Sequence, residues 1–245
     1  MNWYPIFLRE MLQFKKKLFR LGYIFTSMMV PLLYLLAFGL GLGRSVQVSG
    51  GSYLNYLLPG LVAMSSMNNS YNWVASGLNL SRLYFKTFQV LVQAPIASTS
   101  IMIGYVLSGM VRGLFASVMI ILVGLFAGSG FHLSLVFVIT LLLNCFLFSN
   151  LGVMVGMITK SHEDTSTYAN FFILPMVFFS GTFFPIDRMP SLLKGLILCL
   201  PLTHANILIR KSALDGQGWR AVLVMAAYAA LFFFLGSRMI KNYSE

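Results

Sequence analysis

The sequence predicts an all-α polytopic membrane protein with six transmembrane helices, an N-terminal amphipathic interfacial helix and a re-entrant helix pair before the last span. Three observations lead there. Hydrophobic residues make up 58% of the 245 and charged residues only 9%, whereas a soluble domain carries about a quarter charged residues. Mean hydropathy is +0.82, and uncharged runs recur at the roughly 20 residues that cross a bilayer as helix. The alternating segments of about ten residues that mark a single-chain barrel do not occur.

The elements follow in order along one transmembrane unit, 1–245. Residues 2–20 form the interfacial helix: at 100° per residue Trp3, Phe7, Met11, Phe14 and Leu18 share one face, and Arg9, Gln13, Lys16 and Arg20 the opposite one. Such a segregated basic helix lies in the membrane plane; Lys15, near its apolar side, would have to snorkel. Spans are expected at about 22–43, 53–78, 100–127, 133–158, 166–184 and 221–236. Gly50 and Gly51 mark the first loop, and Gly128, Ser129 and Gly130 a later turn. Residues 83–98, half apolar and holding Pro95, read as a short interfacial helix and turn. Residues 186–214 are too apolar for an aqueous loop, yet Pro190, Pro201 and their charges argue against a full crossing. They read as two short helices, 190–199 and 204–214, with Pro190 in a first turn and Thr203 as a cap.

Charge placement gives the orientation. Ten bases, among them Arg9, Lys15 to Lys17, Arg82, Lys86, Lys160, Arg238 and Lys241, fall on the side of both termini; six, including Arg44, Arg188, Lys194, Arg210, Lys211 and Arg220, fall on the other. The positive-inside rule makes the first side cytoplasmic. The net charge of +11 therefore reads as headgroup contact and not as nucleic-acid binding. The basic start leads into a full-length span without a small-residue cleavage site, so no cleavable signal peptide is expected.

Chemistry is sparse. No GxxxxGK(S/T) phosphate loop occurs, so nucleotide hydrolysis by that route is not intrinsic. Glu10, Glu163, Asp164, Asp187, Asp215 and Glu245 all map to ends or loops, whereas ion-coupled carriers bury a carboxylate at mid-membrane. Cys145 and Cys199 have no CxxC spacing, and His132, His162 and His204 stand far apart at span ends, which indicates no disulfide framework and no metal site. No nucleophile, base and orienting acid assemble, so the chain is expected not to be an enzyme.

Four features remain. Arg112 is the one ionisable residue inside a predicted span; it either faces an aqueous path or inter-helix contact, or snorkels to the interface. Ser65, Asn68, Asn69, Asn72, Ser76 and Asn79 repeat at three to four residues and form one stripe on the second span. Facing lipid would be costly, so the stripe serves either inter-helix hydrogen bonds or a substrate path. Phe171 and Phe178, one heptad apart, would share a face and could line an apolar route; packing is the alternative. Gly124 with Gly128, and Gly152 with Gly156, allow close helix approach.

Three stretches carry a family resemblance: YLNYLLPGLVAMSSMNNSYN (53–72), LVQAPIASTSIMIGYVLSGMVRGLF (91–115) and SGTFFPIDRMPSLLKGLILCLPLTHANILIR (180–210). They resemble the ABC type-2 exporter permeases, and most closely the lipo-oligosaccharide and polysaccharide exporters, above all at Pro201, Leu202, His204 and Arg210. Arg112 matches a basic position in several members. Gln89 stands where many place an acid, and Thr182 where a small or branched apolar residue is usual. The resemblance implies a homodimer of six-span subunits in the cell (inner) membrane, working with two ATP-binding subunits that hold ATP and Mg. No cofactor is expected in this chain, and its partners would be those subunits and membrane lipid, with no nucleic acid. The amphipathic start and the cytoplasmic turn, with Arg82, Tyr84, Lys86, Gln89 and Pro95, would form the ATPase-coupling surface. The re-entrant pair, with Pro201, His204 and Arg210, would form an outer gate, although His204 could instead cap a helix. Export of a lipid-linked, glycan or amphipathic substrate is the leading expectation. A drug-efflux permease of the same family, a secondary carrier or channel, and a membrane-embedded enzyme or scaffold are the alternatives.

Overall fold

The computed structural model describes residues 3–19, 21–42, 47–48, 51–127, 129, 133–186 and 189–243. Arg20, Gly43, Arg44, Gly50, Gly128, Gly130, His132, Asp187, Arg188 and Glu245 lie outside the described residues. In chain order come α1 (Tyr4–Leu18), α2 (Leu21–Tyr34) running on as a π-helical stretch (Leu35–Leu42), and an antiparallel pair of two-residue strands, β1 (Gln47–Val48) and β2 (Gly51–Ser52). Then follow α3 (Tyr53–Leu83), α4 (Thr87–Gln93), α5 (Ser98–Phe126), α6 (Leu135–Ile158), α7 (His162–Phe179), α8 (Ser191–Leu198), α9 (Pro201–Ile209) and α10 (Gly216–Lys241).

Among the described residues α5, α6 and α10 are long and apolar enough to cross a membrane, and α8 with α9 meets the same test as one segment bent by 94°. This is the helical architecture of a polytopic membrane protein. The other three segments expected to span depart from the test for physical reasons. Pro31 sits inside α2, where its missing N–H and its ring break the hydrogen-bond ladder, and a π stretch follows. α3 carries the polar stripe. α7 opens on His162, Glu163 and Asp164.

Capping chemistry moves the expected boundaries. Ser161 and Asp164 form a reciprocal capping box, so α7 starts before residue 166 and ends at Phe179, short of 184. The Asp215 side chain accepts the Gly218 N–H, so α10 starts before residue 221 and runs past 236. Pro201, pre-set for a first turn, starts α9 ahead of the expected 204. Thr203 is therefore inside α9 and caps nothing; its hydroxyl donates to the Ile197 carbonyl at 2.7 Å.

The core is built on α3, which packs against both α5 and α6 through small residues. A Cβ on Gly152 would stand 2.8 Å from the Tyr71 carbonyl oxygen, and one on Gly156 2.9 Å from that of Ala75. The backbones of α3 and α6 thus touch, as the Gly152/Gly156 pair predicts. A second pair, Gly109 and Gly113 of α5, abuts Ser149 with Val74 and Ser70 with Cys145. Between the helices the Asn144 amide donates to the Ala63 carbonyl at 3.0 Å and to the Ser66 hydroxyl at 2.7 Å.

Ile6 of α1, Phe88 of α4, Ile101 of α5 and Ile240 of α10 share one buried cluster, and Tyr243 meets Phe88 edge-on at 5.2 Å. α1 and the last turn of α10 therefore lie at one end of the bundle, the basal end. The strand pair, the turn at 180–186, α8 and α9 lie distal.

α1 docks differently from its helical wheel. Ile6, Glu10 and Phe14 are its buried stripe, while Trp3, Phe7, Met11 and Leu18 are half-buried. Glu10, expected at a free chain end, is only 4% exposed. A buried carboxylate is tolerated where it is paired. Arg9 Nη2 donates to Glu10 Oε1 at 3.0 Å and to the Tyr105 hydroxyl at 2.7 Å, and the Trp73 indole N–H donates to Glu10 Oε2 at 3.2 Å.

Candidate functional site

The polar stripe of α3 has three fates. At its distal end Ser65 is buried. At its basal end Asn79 is buried and donates to the Thr159 hydroxyl at 2.9 Å and the Ser161 carbonyl at 3.0 Å. Only the middle opens. Asn68, Asn69, Asn72 and Ser76 line a cleft of about 610 Å³ between α2, α3 and α7, together with Lys17, Tyr34, Trp73 and Asn170. Asn69 ties its amide back to the Ser65 carbonyl at 3.0 Å, whereas Asn72 is exposed.

Phe171 and Phe178 are not in this cleft. α7 turns Ala169, Asn170, Ile173 and Val177 toward it, the i, i+3/i+4 face opposite α3. Phe171 is 71% exposed and stacks edge-on with Phe172 at 5.1 Å. Phe178 packs with Tyr34 and Phe183 at 6.4 and 6.0 Å.

Behind Trp73 of the cleft wall, Arg112 is 1% exposed. Its guanidinium stacks over the Trp73 ring and lies 4.3 Å from the Phe14 ring centroid. It makes an inter-helix contact and does not snorkel. Lys17 Nζ reaches to 4.3 Å from the Trp73 ring centroid. Trp73 is thus shared by two cations and a carboxylate.

The turn after α3 separates its predicted residues into two kinds. Tyr84, Phe85, Lys86 and Pro95 are exposed, and Lys86 takes the left-handed backbone region with φ 53°, uncommon for a side chain of its size. Arg82, by contrast, is 7% exposed; its two terminal nitrogens donate to the Met157 and Thr159 carbonyls at the end of α6. Those are carbonyls a helix C-terminus leaves unpaired, and a cation there also complements the helix dipole. Arg82 is therefore unavailable at the surface of the turn. Gln89, half-buried, donates to the Arg82 carbonyl at 3.1 Å and pins α4 beneath it.

At the distal end Arg210 bridges three segments. Its Nε donates to the Tyr56 carbonyl at 3.2 Å, Nη1 to that of Asn206 at 2.9 Å and Nη2 to that of Thr182 at 3.3 Å. The guanidinium lies 4.1 Å from the Tyr56 ring centroid. The turn at 180–184 is held further by Tyr53 and Tyr56, whose hydroxyls donate to the Phe183 and Gly181 carbonyls at 2.8 and 2.9 Å. Asn206 adds bonds to the Ser180 carbonyl at 2.9 Å and the Thr182 hydroxyl at 3.1 Å. Gly181 has φ +76°, a conformation suited to glycine. His204 meets the Leu198 carbonyl at 2.9 Å and so joins α9 to α8 across their bend, while Pro201 is buried at the start of α9.

Glu10, Trp73, Tyr105 and Asn170 at one site, and Tyr53, Tyr56 and Asn206 at the other, are not singled out by periodicity. Asn206 and Arg210 at i and i+4 are the one spacing that could have flagged the distal set.

The chain matches the ABC-2 type transporter family over residues 6–214. It is 31% identical over 196 residues to the inner membrane transport permease YadH of Escherichia coli K12, covering 77% of this chain and 76% of that one. It is 27% identical over 247 residues to nodulation protein J of Sinorhizobium fredii, covering 98% and 93%, and 28% identical over 247 residues to that of Rhizobium meliloti, with the same coverage. ABC-2 permeases are transport components that work with a partner ATP-binding subunit. On a match that runs from α1 to the segment before α10, the chain belongs to the ABC-2 type transporter family, as a membrane transport subunit of an ABC transporter.

Proposed function

We propose that this chain is the membrane half of an exporter that moves a lipid-linked, glycan or otherwise amphipathic substrate outward through the cleft between α2, α3 and α7. The observation that carries the reading is a set of four carboxamides, Asn68, Asn69, Asn72 and Asn170, lining one open cleft beside Ile173, Leu174 and Val177. Amide groups are expensive toward lipid, and they supply both donors and acceptors to a polar headgroup while the flanking Ile173, Leu174 and Val177 suit an acyl chain.

Two copies of the chain would work with two ATP-binding subunits, which carry ATP and Mg; this chain would be no enzyme and hold no cofactor. Six crossings with both termini cytoplasmic fit the meeting of the chain's ends at the basal side. The exposed turn with Tyr84, Phe85, Lys86 and Pro95 would take the push of the ATP-binding subunit. Arg82 and Gln89 would stiffen it from within, since both are tied to neighbouring backbone. The Arg210 cluster, with Pro201 and His204, would hold the outer gate.

Reconstitution with its ATP-binding subunit tests this. Asn72→Leu, on an exposed position of the cleft, should cut transport about tenfold, the loss of one or two good polar contacts, with unchanged thermal stability. Uphill transport by the chain alone on an ion gradient would overturn the reading.

A further inference from the structure

A second groove, of about 910 Å³, lies outside the proposed transport route. It runs at the basal end between the α4–α5 turn and the last turns of α10. Arg238 and Lys241 of α10 line it. Both are exposed, and neither side chain has a hydrogen-bond or ion-pair partner among the described residues. Among the described residues no acidic side chain lines the groove.

The opposite wall is the first turn of α5. That 29-residue helix starts without a side-chain cap, and Ser98 and Thr99, in the turn where a helix leaves its first backbone N–H groups without an intrahelical partner, line the groove. Ile101, Phe233 and Phe234 are among the apolar residues that line it. α10 is the least enclosed of the membrane-length helices: 22% of its apolar window is buried, against 44% for α5 and 72% for α6.

We propose that this groove binds the headgroup of an anionic phospholipid from the leaflet at the basal end. Arg238 and Lys241 meet the phosphate, Ser98 and Thr99 bond its oxygens, and one acyl chain lies along Phe234 and the exposed Leu231 of α10. Charge favours this occupant: among the described residues the charged lining is two cations, set beside an uncapped helix start. The apolar continuation distinguishes a lipid from a free anion. The bound lipid would bridge α5 and α10 next to α4, the element that leads into the proposed coupling surface.

Native mass spectrometry of the delipidated full chain in detergent, titrated with phosphatidylglycerol against phosphatidylcholine, tests the assignment. The unaltered protein should prefer phosphatidylglycerol. R238Q/K241Q should lower that preference about twenty-fivefold, two cations at about fivefold each, and the charge-retaining R238K/K241R should keep it. K15Q/K16Q, which removes the same charge from exposed positions of α1, should leave it intact. An equal loss in K15Q/K16Q, no loss in R238Q/K241Q, or displacement of the lipid by millimolar inorganic phosphate would each overturn the proposal.

Discussion

Each end of the bundle holds an arginine bonded to backbone carbonyls, Arg82 buried and Arg210 half-buried, and the two are built differently. Arg82, basal, spends both terminal nitrogens on one stretch of chain, the end of α6. Arg210, distal, divides three bonds among α3, α9 and the turn at 180–184. A cation that caps one helix end from a neighbouring helix joins two rigid bodies and leaves them nothing to trade. A hub shared by three segments loses a bond whenever any one of them moves. The basal arginine is suited to passing force on, and the distal one to letting go.

The largest effect should come from Arg82. Arg82→Met leaves two buried carbonyls unpaired and should cost about 3–4 kcal/mol, read as a fall in the thermal midpoint of the purified chain. Charge reversal there should abolish folding and not merely coupling. A folded, normally stable Arg82→Met protein would erase the contrast between the two ends. Arg210→Lys keeps the charge but loses the fork and the stacking on Tyr56, and should cost about 2 kcal/mol. Its signature should be distal: a cysteine placed at Thr182, buried in the parent, should become reactive to a thiol reagent. If Arg210→Lys costs as much as Arg82→Met and leaves that cysteine closed, the hub is a second rigid clamp.

The smallest effect concerns Asp215, beside the distal hub. Two bonds from Lys211 Nζ at 2.6 Å and one from the Gly218 N–H at 2.7 Å hold its carboxyl below the ordinary value. A depressed carboxylate contributes stability above its unfolded pKa and loses it as pH falls through the folded one. Asp215→Asn should thus be slightly less stable than the parent at neutral pH, the gap closing as pH drops below the usual carboxylate range. A gap that persists in acid would show that the amide fails as a cap.

Hydropathy made the order of the long helices legible, and glycine spacing a close approach to α6, whose partner, α3, only the structure names. What it hid were contacts set by a second element. The helical wheel of α1 puts Trp3 and Phe7 inward, yet the seat offered by Trp73 and Tyr105 is polar, so Glu10 takes the centre. The stripe on α3 was visible in its asparagines, but which of them stay open depends on cover from residues 159–161. Arg82 looks like a flanking surface base until the end of α6 arrives beside it. Phe171 and Phe178 share a face as spaced, but α7 is rolled so that this face misses the cleft.

The seat of Glu10 has a consequence for how the chain is made. Tyr105 is synthesised 96 residues after Arg9, and at about 5–20 residues per second the first helix must wait roughly 5–20 s before its receptor exists. During that interval its carboxylate lacks Trp73 and Tyr105, and a charged group without its partners is expected to stay in contact with water until α3 and α5 are made. Docking of α1 on α5 then prepares the basal cluster that α10 completes last, and a chain stalled before residue 105 should leave α1 open to protease.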